Sequence, residues 1–190
     1  MKTILIPTDY SDVADNALKY ALELAKFNKS KIILLHAYQI PVPTGQIPIT
    51  MISPKELEED NQTRIKILEK KIVGQSEGMV KIETIVRSGF TIDEIKDVIK
   101  EKNVDLVVMG VTGTGAIGEA LIGSHTSTLI RQTQTPVLVI PKEARFREIK
   151  KIVLASNYNE VVNKKAVHKF KEFAKLFDAK VLVLDVEKPV

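Results

Sequence analysis

The 190-residue sequence contains no cysteine and no tryptophan, and aromatic residues make up only 5% of it. Without cysteine the chain has no disulfide bond, thiolate metal site or cysteine nucleophile, and this composition is typical of a reducing compartment, so we expect a cytoplasmic protein. With so few aromatic side chains, we expect no base-stacking platform and no nucleic-acid partner. The apolar run at residues 4–6 is too short for a signal peptide or a membrane span, so no membrane partner is expected.

Charge and histidine content exclude further classes of site. The 28 basic and 24 acidic residues are nearly balanced, and 44% of the sequence is hydrophobic, as in an ordinary globular protein. The three histidines, His36, His125 and His168, are too dispersed to predict a protein-built metal site. His125 directly follows Ser124 in the chain, so a serine–histidine nucleophile pair is not expected. We therefore predict no catalytic residue and no metal ligand.

Strand-like and helix-like segments alternate along residues 1–142, which predicts an α/β domain with a five-stranded parallel sheet flanked by helices. The strands are predicted at residues 4–6, 32–35, 81–86, 106–109 and 137–140. Helix starts are predicted where a side chain can cap the first turn, at Ser11, at Ser53 with Glu56, at Thr91 with Glu94, and at Ser124.

The pattern restarts after a charged linker at residues 143–149. Residues 150–158 match residues 2–10 in character, position by position, and a helix and a strand follow them. Residues 150–190 are therefore predicted to be a partial second β-α-β copy. Asn157 stands where the first copy has Asp9, and no glycine-rich loop follows it, so we expect no equivalent site in this copy.

A glycine-rich segment between the fourth strand and the next helix carries the main functional signal. It runs from Gly110 to Ser124 and also contains Gly113 and Gly123. Glycines let backbone N–H groups approach a phosphate closely, and a helix N-terminus adds free N–H donors and a favourable dipole. The segment therefore predicts an anion site, with a polyphosphate as the expected ligand.

Two familiar phosphate motifs fit this segment poorly. Residues 113–118 read G-x-G-x-x-G, but that dinucleotide fingerprint belongs in the first strand-to-helix turn, with an acidic residue about 20 positions on. Residues 118–124 approach the G-x-x-x-x-G-K-[ST] pattern, but Ser124 stands where the lysine is required. The better match is G-2x-G-9x-G-[ST], formed by Gly110, Gly113, Gly123 and Ser124.

With that pattern, the chain resembles the ATP-binding branch of the universal stress protein family. The opening residues 4–9 with Ser11, the second strand at 34–37, the segment 104–110 and the closing residues 136–141 are similar to the signatures of this family. The resemblance implies the sheet order 3-2-1-4-5. It covers residues 1–142 as one domain and residues 150–190 as an incomplete second domain of a tandem protein.

The resemblance also implies which residues hold the ligand. Pro7, Thr8 and Asp9 would meet the adenine and ribose, and Ala37 would contact the adenine. Met109 and Gly110 would line the ribose. The phosphates would be held by Gly113, Gly123, Ser124, His125 and Thr126. Asp9 and the Gly110 loop leave the first and fourth strands at a switch point of that sheet order, where open α/β sheets bind ligands.

The function implied is ATP, ADP or AMP binding by a stress-response protein that acts as a nucleotide-dependent regulator, with Mg²⁺ or Mn²⁺ as an optional ion between phosphates. A slow ATPase or phosphotransferase is the main alternative, and an interaction module with an empty cleft is the third. The family commonly pairs its fifth strand with that of a partner, so we also expect a homo-oligomer through residues 136–141.

Overall fold

The computed structural model describes residues 1–40, 53–111, 123–156 and 164–185. They divide into two compact units, one running from Lys2 to Arg145 and a smaller one beginning at Phe146. No helix in these ranges is both long enough and apolar enough to cross a bilayer.

The first unit contains a five-stranded sheet in which every strand pair is parallel. Its strands are β1 (Thr3–Pro7), β2 (Lys31–Tyr38), β3 (Ile82–Ser88), β4 (Leu106–Val111) and β5 (Val137–Pro141). Its helices are α1 (Asp12–Asn28), α2 (Pro54–Ser76), α3 (Thr91–Glu101) and α4 (Ser124–Gln132). The order is β3-β2-β1-β4-β5, which confirms the predicted fold and strand order.

The sheet is buried on both faces, as expected for parallel strands with near-continuous aliphatic sequence. Side chains alternate between the two faces of a strand, and Ile4, Leu5 and Ile6 in the central strand β1 are all 0% exposed. On one face, the side chains of Leu5 and Ile33 belong to a core cluster that also contains Leu129 of α4. Ile95 of α3 belongs to the same cluster, so α3 and α4 both pack against this face of the sheet.

The helix starts test the capping predictions one by one. Ser11 caps α1 by accepting a hydrogen bond from the Ala14 N–H at 3.2 Å, and Ser53 forms the predicted capping box at the start of α2, so both predictions are confirmed. The capping box predicted at Thr91 is wrong, because α3 begins with Phe90 in the cap position and has no side-chain cap bond. At α4 the cap is Gly123, so Ser124 is the first helical residue and does not cap the helix.

The end of the first unit is fastened to α1 by a buried asparagine. The side-chain amide of Asn16 donates to the carbonyl oxygens of Pro141 at 3.1 Å and Ala144 at 3.2 Å. Its amide oxygen accepts from the Arg145 guanidinium at 2.6 Å. The chain between Pro141 and Arg145 is thus part of the packed unit.

The second unit has the elements β6 (Lys151–Ser156), α5 (Lys164–Leu176) and β7 (Lys180–Asp185), and its two strands are parallel. Phe177 packs against Phe146 and Phe173, with ring centroids 6.3 and 5.4 Å apart. Several apolar strand residues stay exposed, among them Val153 at 59% and Val183 at 57%. Such strands are normally covered on both faces in a complete parallel sheet.

Candidate functional site

A cavity of about 430 Å³ opens in the first unit at the carboxyl ends of β1, β2 and β4. Strand order reverses between β1 and β4, because β1 connects through α1 to β2 on one side, whereas β4 leads to β5 on the other. Ligands of open α/β sheets bind in the crevice at such a point. The volume lies within the range of small-molecule sites, about 300–1,000 Å³.

The cavity brings together ten of the eleven residues selected from the sequence, namely Pro7, Thr8, Asp9, Ala37, Met109, Gly110, Gly123, Ser124, His125 and Thr126. The eleventh, Gly113, lies outside the described residues. The lining also includes residues that the sequence reasoning missed: Ser11, Val13, Ala14, Leu35, Thr91, Ile95 and Val111.

Asp9 presents a carboxylate at the end of β1. One of its oxygens accepts a hydrogen bond from the Ser11 N–H at 3.0 Å, and the side chain is exposed. Partial burial raises the pKa of Asp9, but hydrogen bonds from Ser11 outweigh it, so the pKa lies below its usual value. The carboxylate is therefore ionised at neutral pH and can only accept hydrogen bonds, which suits hydroxyl or amine donors of a ligand.

The turn after Asp9 depends on a backbone conformation that is uncommon outside glycine. Tyr10 has φ of 64°, in the left-handed region. Its N–H donates to the Thr8 hydroxyl at 3.1 Å, and the centroid of its ring lies 4.6 Å from Cζ of Arg64 and 4.6 Å from the centroid of the His36 ring. These contacts hold the strained turn and thereby fix Asp9 beside the cavity.

His36 supports the same turn from β2. Its Nδ1 lies 2.8 Å from the Thr8 carbonyl oxygen, and it does not line the cavity. His36 is therefore a structural residue whose Nδ1 has a hydrogen-bond partner.

The N-terminus of α4 supplies hydrogen-bond donors to the cavity. The first intrahelical bond runs from the Ser127 N–H to the Gly123 carbonyl at 3.0 Å, so the N–H groups of Ser124, His125 and Thr126 precede the bonded ladder. Gly123 has no side chain that could cap them. A helix end of this kind attracts anions through its free donors and its dipole.

Gly110 allows β4 to pass directly against the first turn of α1. A Cβ atom at this position would lie 2.4 Å from the Val13 carbonyl oxygen and 2.6 Å from its Cγ1. Backbone contacts of this length cannot be relieved by a rotamer change, so only glycine fits.

We expect Gly110→Ala to lower the free energy of unfolding by about 1–3 kcal/mol, because β4 and α1 would have to separate. Gly74→Ala in α2 is the matched control, since a Cβ there meets no atom within 4 Å. That control should be neutral or stabilising by up to roughly 1 kcal/mol, because alanine favours helix over glycine. Urea unfolding of the three proteins measures the difference; equal stability of G110A and wild type would contradict the close approach.

No three His, Asp or Glu side chains converge to hold a metal ion in the described part of the chain. A Mg²⁺ or Mn²⁺ ion bound here would thus need most of its ligands from elsewhere, such as phosphate oxygens or water.

Known proteins share both the fold and the sequence pattern. A universal stress protein from Archaeoglobus fulgidus has a TM-score of 0.75 at 17% identity, over 98% of this chain and 67% of that one. A universal stress protein in complex with cAMP gives 0.52 at 23% identity, over 75% and 98% of the two chains. An Arabidopsis thaliana member of the family with AMP bound gives 0.50 at 21%, over 76% and 94%. At these identities, the structures show the likeness of fold.

Sequence similarity establishes the family. A universal stress protein of Methanocaldococcus jannaschii is 33% identical over 145 residues, which are 74% of this chain and 82% of the relative. The model of the universal stress protein family matches residues 1–141, the whole sheet with its cavity. The chain therefore belongs to the universal stress protein family.

Proposed function

We propose that this protein binds an adenine nucleotide, ATP first among them, in the cavity of its first unit, and that occupancy regulates its association with itself or with partners. The observation that carries the proposal is the convergence on one cavity of a carboxylate acceptor at Asp9 and of the first N–H groups of α4, which have no acceptor within the helix. Hydroxyl donors at one end and an anion at the other are the two halves of a nucleotide.

Each part of the ligand has a proposed place. Asp9 accepts from the ribose or the adenine amine, and Ala37 borders the base at the end of β2. Met109 and Gly110 lie under the ribose. The phosphates occupy the N-terminus of α4, where Gly123, Ser124, His125 and Thr126 line the cavity. Gly113, by its position in the motif, belongs with the phosphates.

Two proteins of the same fold support the ligand class. One was solved in complex with cAMP and another with AMP bound. Both ligands contain adenosine and phosphate, which are the two groups that the cavity is suited to receive.

Slow ATP hydrolysis or phosphotransfer is the second candidate. Phosphoryl transfer needs positioned positive charge and a group that orients the nucleophile. The described cavity lining includes no lysine or arginine and only one carboxylate, Asp9. This favours binding without rapid turnover. A single-turnover assay with labelled ATP separates the two, because a regulator releases ATP unchanged, whereas an ATPase releases ADP.

The direct experiment is to identify any nucleotide carried through purification by mass spectrometry, and then to titrate ligand-free protein with ATP, GTP and adenosine by calorimetry. We expect ATP to bind more tightly than GTP or adenosine. If the purified protein carries no nucleotide and no adenine nucleotide gives a binding signal in calorimetry, the proposal is contradicted. The remaining hypothesis would then be an interaction module with an empty cavity.

Asp9→Ala is expected to weaken the binding of ATP and adenosine by roughly 10- to 150-fold while leaving that of inorganic tripolyphosphate nearly unaffected, since an ionised acceptor contributes about 1.5–3 kcal/mol. Asp12→Ala is the matched control, because Asp12 is also exposed at the start of α1 but does not line the cavity. Calorimetric affinities for both ligands give the comparison. Equal losses for adenosine and tripolyphosphate would make Asp9 a structural residue only.

A further inference from the structure

The cavity has an unusual charge composition for a site that receives phosphate. Of the seventeen described residues that line it, only Asp9 and His125 have acidic or basic side chains. Among the described residues of the lining, His125 is the one whose side chain is able to become a cation.

His125 is placed where that charge would act on a phosphate. It is the second residue of α4, it is exposed, and it lies between Ser124 and Thr126 in the lining. The positive end of a helix dipole disfavours another positive charge, whereas an anion bound there favours one. Protonation of a histidine at this position is thus coupled to phosphate binding.

We propose that His125 senses the phosphate charge of the bound ligand: nucleotide binding is accompanied by proton uptake on its imidazole, and affinity rises as the pH falls. This inference rests on the proposed function and adds the residue that links it to pH. A charge-assisted hydrogen bond from an imidazolium to phosphate corresponds to roughly a tenfold gain in affinity.

The described lining contains no other histidine, and the other charges near α4 come from carboxylate, ammonium and guanidinium groups. On α3, which packs against α4, Lys96 pairs with Asp93 at 3.3 Å, Lys100 with Asp97 at 3.9 Å, and Glu101 with Arg87 at 2.7 Å. The remaining charges on these elements and the adjoining turn are Asp9, Asp12, Glu94 and Arg131. Carboxylates, ammonium and guanidinium groups ordinarily keep their charge between about pH 6 and 8, and histidine does not.

The test measures ATP affinity by calorimetry at about pH 6 and about pH 8, on either side of the ordinary histidine range. EDTA is present so that no divalent ion neutralises the phosphates. The proteins are the full chain, H125Q, H125K and, as matched control, H168Q, whose histidine is exposed on α5 and is not one of the residues that line the cavity. Effects of pH on the phosphate itself or on His36 are common to all four proteins, so they cancel when the affinities of two proteins are compared at the same pH.

We expect H125Q to bind ATP roughly tenfold more weakly than wild type at the lower pH and nearly equally at the higher pH. H125K should keep the tight affinity at both pH values, H168Q should behave as wild type, and adenosine should not distinguish the proteins. The role of His125 would be overturned if H125Q lost the same affinity at both pH values, lost none at either, or bound adenosine differently from wild type. In each of these cases, ATP binding by wild type would still uphold the proposed function. Failure of wild type to bind ATP at either pH would overturn both.

Discussion

Replacing Gly123 by valine is expected to weaken ATP binding by at least about 100-fold, or roughly 2.7 kcal/mol, while the first unit stays folded. Gly123 precedes the free N–H groups of α4 and lines the cavity. A Cβ atom there would lie more than 4 Å from the atoms of the described residues, its chain neighbours apart, so the added side chain would extend beside the helix end, where we propose that the phosphate binds. The loss of ATP affinity would therefore come from obstruction of the phosphate position and not from strain in the protein.

The G123V experiment needs a control for its effect on the helix end, because valine caps a helix less well than glycine. Thermal unfolding of the variant measures that effect separately. Gly74→Val is the matched variant, since Gly74 also faces open space but lies in α2 away from the cavity. A G123V protein that binds ATP within a few-fold of wild type by calorimetry would remove α4 as the phosphate site.

The strands could be predicted from the sequence because five short aliphatic runs stand between clear helix starts. The apolar run predicts the second strand only to residue 35, and the family resemblance places it as far as residue 37, but the strand continues to Tyr38 because residues 36–38 still pair with β3. Those residues are only half-buried and include His36 and Tyr38, so their hydrophobicity does not mark them as strand. Backbone pairing with β3 therefore extends the strand beyond the residues whose composition predicts it.

The wrong capping box at α3 shows that a capping pattern in the sequence does not by itself fix the residue at which a helix begins. Thr91 and Glu94 have the right spacing, but the chain turns one residue earlier, so Thr91 is already helical. The Glu94 carboxylate occupies the space beside Gly89 instead of reaching back to a cap. The same shift places Thr91 at the cavity.

Site residues that belong to a sequence motif could be predicted, whereas residues that only the fold brings to the cavity were missed. Asp9 and Gly110 follow strands that end at the same edge of the sheet, so a motif and a topological rule select them together. Thr91 and Ile95 belong to α3, which reaches the cavity only because it packs over β2 and contacts α4. The rule that the strand-to-helix turns of a parallel sheet meet at one edge would have found Thr91, which is the first helical residue after the turn that follows β3.

We predict that the protein forms a homodimer through β5, the edge strand that has only β4 as a neighbour. β5 carries no charged residue, whereas the opposite edge, β3, carries Glu83 and Arg87, both held in ion pairs. Charges protect an edge strand from pairing with another chain, and an apolar edge without them invites it. Antiparallel pairing of two β5 strands would satisfy the free backbone groups of both and would close the assembly by two-fold symmetry.

Light scattering on four proteins tests the dimer: the full chain, Val139→Lys in β5, Thr84→Lys in β3 as the matched edge control, and a chain ending at Arg145. The truncation keeps Arg145 because its guanidinium holds Asn16. We expect dimers for all except V139K, which should become monomeric, because two lysines would face each other across the new strand pair. A monomeric full chain would contradict strand-edge pairing. A dimer that is lost only on truncation would assign the contact to the second unit, where exposed strand residues such as Val153 and Val183 would form the interface.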